Sequence, residues 1–246
     1  LKRLEVAERG VVCRSYRQAE DLIGSWIETG PLLVKGGYAC AGRSQYRVFH
    51  QREADRARWL PRLIEAEGLV VIEPLRDRVL DFSVLYEIEA GRALLLGMSL
   101  MDNDARGRYL GSRVAADFER LLGFEVRDWL LRREFQRFYE AELARVLIDL
   151  LPGYSGPVGV DAMVYREQTG AWGWSPVVEL NVRNTMGRVA QDLMGKSSQS
   201  AGSLRILRKS AAADGKLFAP RSMSEAAVLL NDPEQAEEFL VSWHVG

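Results

Sequence analysis

Residues 177–187 read VVELNVRNTMG. Pro176, Val177 and Val178 have the look of a buried strand, and the chain then runs into Glu179, Asn181 and Arg183, spaced two apart. Residues two apart on a strand share a face. An acid, an amide and a guanidinium would therefore stand in a row on one side of a sheet. Buried polar and charged groups need partners. A core does not want this row unless something sits on it.

Upstream, GPVGVDAMVY at 156–165 reads as the other arm of a hairpin with WSPVVELNV at 174–182, joined through REQTGAWG. Facing side chains on antiparallel neighbours lie about 4.5–5.5 Å apart at Cβ. The hairpin thus brings Asp161 toward Glu179 and Asn181. Three oxygen ligands from two adjacent strands suit a hard divalent cation, and magnesium completes its shell with water and phosphate oxygens. The alternative is a solvated face on which Asp161 and Glu179 each pair with an arginine.

The rest of the composition excludes several classes. The 246 residues suffice for one large domain or two small subdomains with a real core. Basic and acidic side chains number 33 and 34, for a net charge of −1. No global field draws the chain toward nucleic acid or anionic lipid, and neither partner is expected. Two cysteines, Cys13 and Cys40, make no disulfide framework and no zinc site, which points to a reducing cytoplasm. The densest apolar stretch, ALLLGMSLM at 93–101, is strand-like and too short to span a bilayer. No leader is read in the opening LKRLEVAERG, which also lacks a domain start. The chain is expected to be a piece of a longer product.

The elements read as mixed α and β. Ser15 caps a helix over 16–28, whose stripe is Ala19, Leu22, Ile23, Trp26 and Ile27. Gly30-Pro31 breaks it. A short strand at 32–35 ends on Lys35, and a glycine-rich loop follows at 36–44. Then come a return strand at 45–49, a helix over about 52–66 and an apolar strand at 68–75. Two strands span 79–101 around a turn at Ala90-Gly91. One long helix is expected from Phe124 to Leu151 on the 3.6-residue period, and another over 185–195. PEQAEEFLVSW at 233–243 reads as a short closing helix.

Two further stretches carry chemistry. LLVKGGYACAGRS at 32–44 has the composition of a phosphate cradle. Glycines let backbone N–H groups approach anionic oxygens, and Lys35 adds a point charge. It follows neither the Walker A nor the dinucleotide-fingerprint order, and an ordinary turn has the same composition. VVIEPLRDRVLDFSV at 70–84 stops an apolar strand at Glu73-Pro74-Leu75, where freed backbone groups could read an adenine edge, and Asp81 opens the next strand. A plain connection between strands explains that stretch equally well.

Taken in order over residues 10–195, these pieces resemble the ATP-grasp superfamily. The run is Lys35, the 36–44 loop with Gly42-Arg43, Glu73-Pro74-Leu75, Asp81-Phe82-Ser83-Val84, Gly159-Val160-Asp161, and Glu179-Leu180-Asn181-Val182-Arg183. The resemblance implies an α+β fold of two subdomains, with mostly antiparallel sheets, gripping a nucleotide. A small lid subdomain would occupy 10–75, a large subdomain with the metal site 76–218, and a tail 219–246, with an α/β domain ahead of the chain. It implies that Lys35, Gly42 and Arg43 meet the phosphates. The Glu73 carbonyl region and the Leu75 N–H would bind adenine, and Asp81 the ribose. Asp161, Glu179 and Asn181 would hold magnesium, or manganese in its place, and Arg183 would lie by the acyl phosphate or substrate. The activity implied is an ATP-dependent ligase, in which a carboxylate activated as an acyl phosphate is attacked by an amine or a thiol. A nucleotide-binding module without turnover is the alternative. Ser44 and Pro74 depart from the family pattern. Arg106, Arg108, Arg113, Arg183 and Arg188 are where contacts to an anionic small-molecule substrate are expected. His50, His244, Cys13 and Cys40 are given no role, and the oligomeric state is not read.

Overall fold

A computed structural model describes residues 10–37, 44–50, 58–104, 107–197, 199–209 and 226–245. The chain separates into two compact units. One holds the described residues up to Asp77, with 107–108 and 165–174; the other holds 78–104, 109–164 and the chain from Ser175.

The first unit is built on a four-stranded sheet in the order β1-β4-β2-β3, with β1 Val11–Cys13, β2 Leu32–Gly36, β3 Gln45–Val48 and β4 Val70–Pro74. All three pairings are antiparallel. Helix α1, Tyr16–Trp26, begins where the sequence predicts: the Ser15 side chain accepts from the Gln18 N–H and replaces a missing helical partner. Its stripe buries Ala19 and Ile23 in one core with Leu32, Val34, Val70 and Ile72 of the sheet. Helix α2, Trp59–Glu67, adds Leu60 and Leu63 and ends on left-handed Gly68, φ 75°. The first residues of the expected 52–66 helix, through 57, lie outside the described residues. Tyr46 of β3 stacks on Trp59 with ring centroids 4.0 Å apart.

The second unit is an eight-stranded sheet in the order β11-β12-β10-β7-β6-β5-β8-β9. Its strands are β5 Asp77–Glu89, β6 Arg92–Asn103, β7 Tyr109–Ala115, β8 Gly156–Arg166, β9 Trp172–Asn181, β10 Ala201–Arg208, β11 Ala226–Leu229 and β12 Phe239–Val245. Ala90 and Gly91 both have positive φ, 49° and 73°. Two such residues make the tight turn whose twist matches its flanking strands, so β5 and β6 form the predicted hairpin. The two faces of β5 part cleanly. Phe82, Val84, Tyr86 and Ile88 are buried, with Leu100 and Met98 directly opposite Phe82 and Val84. Phe82 meets Phe118 and Tyr139 at 5.6 and 6.0 Å between ring centroids, so helical chain covers that face. The other face carries Asp81 and Ser83, with Ser99 opposite Ser83.

The 124–151 segment is not one helix. It forms α3, Phe124–Leu131, then a left-handed Glu134 with φ 50°, one turn at Phe135–Arg137, a π-helical stretch Phe138–Leu143, and α4, Ala144–Leu150. Leu130 and Phe135 are both fully buried. Five positions along a straight α-helix turn a side chain by about 140° from the first, so both could not face the same core. The break at Glu134 brings both inward.

The C-terminal end also departs from the expected helix. Phe239–Val245, in the segment expected to be helical, is the strand β12 between β11 and β10. FLVSWHV is rich in β-branched and aromatic residues, and the open edge of β10 gives it a partner. Val177 and Val178 are not buried but 40% and 39% exposed, because β9 is the edge strand.

Helix α5, Met186–Lys196, lies on the Ser83–Ser99 face, and the Thr185 side chain caps it by accepting from the Arg188 N–H. Its Ala190 packs with Val114, Leu204 and Trp243. Gly187 is a point of close approach: a Cβ there would stand 2.4 Å from Ser99 Oγ. That hydroxyl is fully buried and finds no hydrogen-bond partner among the described residues. Gly187→Ala is therefore expected to lower stability by about 1–3 kcal/mol through overpacking. Adding Ser99→Ala should recover much of that loss, since it deletes the atom struck and an unpaired hydroxyl. Urea denaturation of the two single variants and the double variant checks this. Strictly additive losses would mean that the helix does not sit on Ser99.

Candidate functional site

Two groups of predicted residues are drawn together, one in each unit, and each follows from strand register. In the first unit Leu33 faces Glu73 and Lys35 faces Val71 across β2 and β4. Lys35 and Glu73 thus share a face of the sheet, and they form a partly buried ion pair. The Leu75 N–H expected to read adenine instead donates to Pro31 O at 2.8 Å. It closes the connection beyond β4, where Pro74 has no N–H of its own to give. Gly42 and Arg43, like Cys40 and Arg106, lie outside the described residues.

In the second unit Asn181 and Arg183 are joined to each other, and Asn181 to Asp161, by hydrogen bonds. Asn181, at the end of β9, is buried. Its Nδ2 donates to Asp161 Oδ2 at 3.2 Å, and its Oδ1 accepts from Arg183 Nη2 at 2.8 Å. Arg183 also donates from Nη1 to the Asn184 carbonyl at 3.2 Å. Glu179 is exposed, and among the described residues neither it nor Asp161 forms an ion pair with an arginine. The arginine-paired alternative is therefore not what these residues adopt.

Burial pushes the Asp161 carboxyl up to about 6, and the Glu179 and Asp81 carboxylates push the same way. The Ser83 hydroxyl beside it and the Asn181 amide pull it back. Ser83 is 3% exposed and stops short of hydrogen-bond geometry. Asp81, next along the same face of β5, is raised by burial against the pull of Arg78, 3.1 Å away, and the Asn103 amide at 2.7 Å. Tyr109 shares a 2.7 Å hydrogen bond with Ser112, and burial pushes its phenol up to about 12, with Asp102 and Asp161 adding to the rise.

Ser83, Arg78, Asn103 and Tyr109 were assigned no part by sequence. Ser83 stands inside the quoted Asp81-Phe82-Ser83-Val84 motif, and its two-residue spacing from Asp81 was the signal available. The arginines expected near an anionic substrate are largely committed elsewhere. Arg113 binds Asp102 at 3.0 Å, and Arg188 binds Glu87 at 2.8 Å and Asp192 at 3.0 Å. His244 is no loose tail residue; it is 2% exposed in β12 and hydrogen-bonds Ser242 at 2.8 Å.

A raised carboxylate has a stability signature. The folded state holds the Asp161 proton more tightly than the unfolded chain, so this contribution is full below about pH 4 and is lost as pH rises through about 6. In metal-free buffer Asp161→Asn is expected to be the more stable protein at pH 7, by about 2–3 kcal/mol at most. The two should converge near pH 4. Melting temperatures over pH 4–7 check this, and parallel curves would refute it.

Among the described residues no three His, Cys, Asp or Glu side chains converge as a self-sufficient metal site. Nor, among them, is any helix long and apolar enough to cross a membrane. No protein-family model matches the sequence, and the search of curated proteins found no match. Solved structures do match. The biotin carboxylase domain of the Hydrogenobacter thermophilus 2-oxoglutarate carboxylase, in complex with MgADP, ADP and bicarbonate, superposes with a TM-score of 0.65 at 12% identity, over 96% of this chain and 57% of that one. Biotin carboxylase from Campylobacter jejuni, in a βγ-ATP complex, gives 0.63 at 14% over 96% and 58%. N5-carboxyaminoimidazole synthetase from Staphylococcus aureus, complexed with ADP, gives 0.62 at 8% over 96% and 62%. The chain thus spans less than two thirds of each. At these identities the likeness speaks for the architecture, and the architecture is the α+β ATP-grasp fold that the ordered motifs of the sequence resemble.

Proposed function

We propose that this chain is the nucleotide- and metal-binding part of an ATP-dependent ligase that joins a small-molecule carboxylate to an amine or a thiol. The observation that carries the reading is the acid pair Asp161 and Glu179, without a cationic partner among the described residues, beside the bonded Asn181 and Arg183. The ADP, MgADP and βγ-ATP in the solved relatives support it.

The residues fit magnesium. Asp161 is held in a poorly solvated place among other carboxylates, which raises its pKa and favours a cation in exchange for its proton. Asp161, Glu179 and Asn181 would supply two carboxylates and an amide oxygen; with no third acid converging on them among the described residues, phosphate oxygens and water would complete the shell. When bound, the ion would neutralise charge on the transferred phosphoryl group. Lys35, placed by Glu73, would hold the phosphates, with Gly42 and Arg43 assigned the same task by resemblance. Asp81 is assigned the ribose. Leu75 could reach adenine only by giving up its bond to Pro31. Arg183 would steady the carboxylate whose oxygen attacks the γ-phosphorus as ADP leaves. The amine would then attack the carbonyl carbon, and phosphate would leave. We assign the 10–75 segment as lid, 76–218 together with the β11–β12 pair that its sheet takes up as the large subdomain, and the cytoplasm as the setting.

A nucleotide-binding module without turnover is the second reading, favoured by the ion pairs that occupy Arg113 and Arg188. Calorimetry with a non-hydrolysable ATP analogue, with and without magnesium, tests the shared part. Magnesium-dependent binding is expected, and its absence in folded protein would sink both. Phosphate release from ATP, screened over carboxylates with amines, then separates ligase from module.

A further inference from the structure

We infer that Arg183 and the divalent cation compete for the side-chain oxygen of Asn181, so that loading the metal releases Arg183 to an anionic substrate. The inference rests on the function proposed above. Asn181 is 7% exposed, and its amide is engaged at both ends. Chemistry sets which end is which. A carboxylate only accepts and a guanidinium only donates, so Nδ2 faces Asp161 and Oδ1 faces Arg183. Oδ1 is also the one atom of that side chain able to ligate a hard cation. A guanidinium hydrogen-bonded to an oxygen that also bears a dication would face strong like-charge repulsion across a few ångströms. The oxygen takes one cation or the other.

Nothing in the described surroundings anchors Arg183 once it is displaced. It is exposed, it stands two residues past the end of β9, and its other bond runs only to the carbonyl of the next residue, Asn184. The bond from Asn181 to Asp161 is unaffected by the exchange, because it uses the opposite end of the amide. Asn181 thus ties the metal ligand Asp161 to the substrate-side cation Arg183. A carboxylate substrate arriving first finds the guanidinium engaged; one arriving after the metal and nucleotide finds it free. An ordered mechanism follows, with the metal nucleotide first.

The test is Mn2+ affinity in the presence of ADP, read by electron paramagnetic resonance, for the unmodified chain, Arg183→Met and Arg183→Lys. Arg183 is exposed, so both variants should keep the parent melting curve. Arg183→Met is expected to bind Mn2+ about tenfold tighter, the scale of one charge-assisted hydrogen bond. Arg183→Lys keeps the charge but loses the planar fork, and it should tighten binding severalfold. If methionine tightens binding and lysine leaves it at the parent value, a general field explains the effect and the competition is refuted. If the parent binds Mn2+ and neither variant tightens it, the inference fails while the proposed function stands. If the parent binds no Mn2+ with ADP, the proposed function fails and takes the inference with it.

Discussion

Glu179→Gln is expected to leave the melting curve in place and to weaken magnesium-dependent nucleotide binding by about 10- to 100-fold, the range that loss of even an outer-shell partner can reach. The two halves of that expectation have separate causes. Glu179 is exposed on an edge strand and its side chain has no hydrogen bond or ion pair among the described residues, so the fold has little to lose. Such surface changes usually stay within about 0.5 kcal/mol. The proposed site would lose one of the two carboxylates assigned to the ion, and an amide of the same shape cannot replace the charge. Calorimetric titration with ADP, with and without magnesium, measures both arms. Unchanged affinity with magnesium would remove Glu179 from the site. A loss that is equal with and without magnesium would place it on the nucleotide instead.

Phe82→Ala is expected to cost the second unit about 3–5 kcal/mol. Phe82 is fully buried, and its ring is held between Phe118 and Tyr139. Around it Leu100, Val84 and Tyr86 are also buried, so the void left behind has little freedom to collapse. Asp81 and Ser83 flank Phe82 and point to the other face, so the damage should reach the acid cluster through the backbone of β5. Urea denaturation should show the midpoint falling with little change in slope. A loss under about 1 kcal/mol would mean that the helical layer is not seated on β5 as described.

How much of this was legible depended on the range of the signal. Ser15 as cap, Ala90-Gly91 as turn and the Asp161–Asn181 hairpin are local patterns, and the structure shows all three. The break at Glu134 was invisible, because the apolar period runs through it and only the facing core decides between one helix and two. The closing segment was misread for a related reason. Acidic residues ahead of Phe239 mimic a helix start, while the deciding influence is the open edge of β10, distant in sequence. Of the candidate site, residue types and spacing picked out Asp161, Glu179 and Asn181, and the structure bonds Asn181 to Asp161. Helical i,i+4 spacing offers Asp192 to Arg188, but nothing announces that Asp102 matches Arg113 or that Glu87, 101 positions away, matches Arg188.

The π-helical stretch Phe138–Leu143 has a consequence for what this chain can tolerate. Tyr139 receives the Tyr86 hydroxyl on its carbonyl at 2.8 Å and sends its own hydroxyl to the Pro176 carbonyl at 3.0 Å. Its ring and its backbone are therefore both indexed to the sheet, while Leu147 downstream must also point inward. A π turn carries more residues per revolution than an α turn. Deleting one residue between 140 and 143 would restore an unbroken α ladder, and by helix propensity alone it should help. It would also rotate everything after it by about 100° relative to Tyr139. A more regular helix here would be a helix out of phase with its own core.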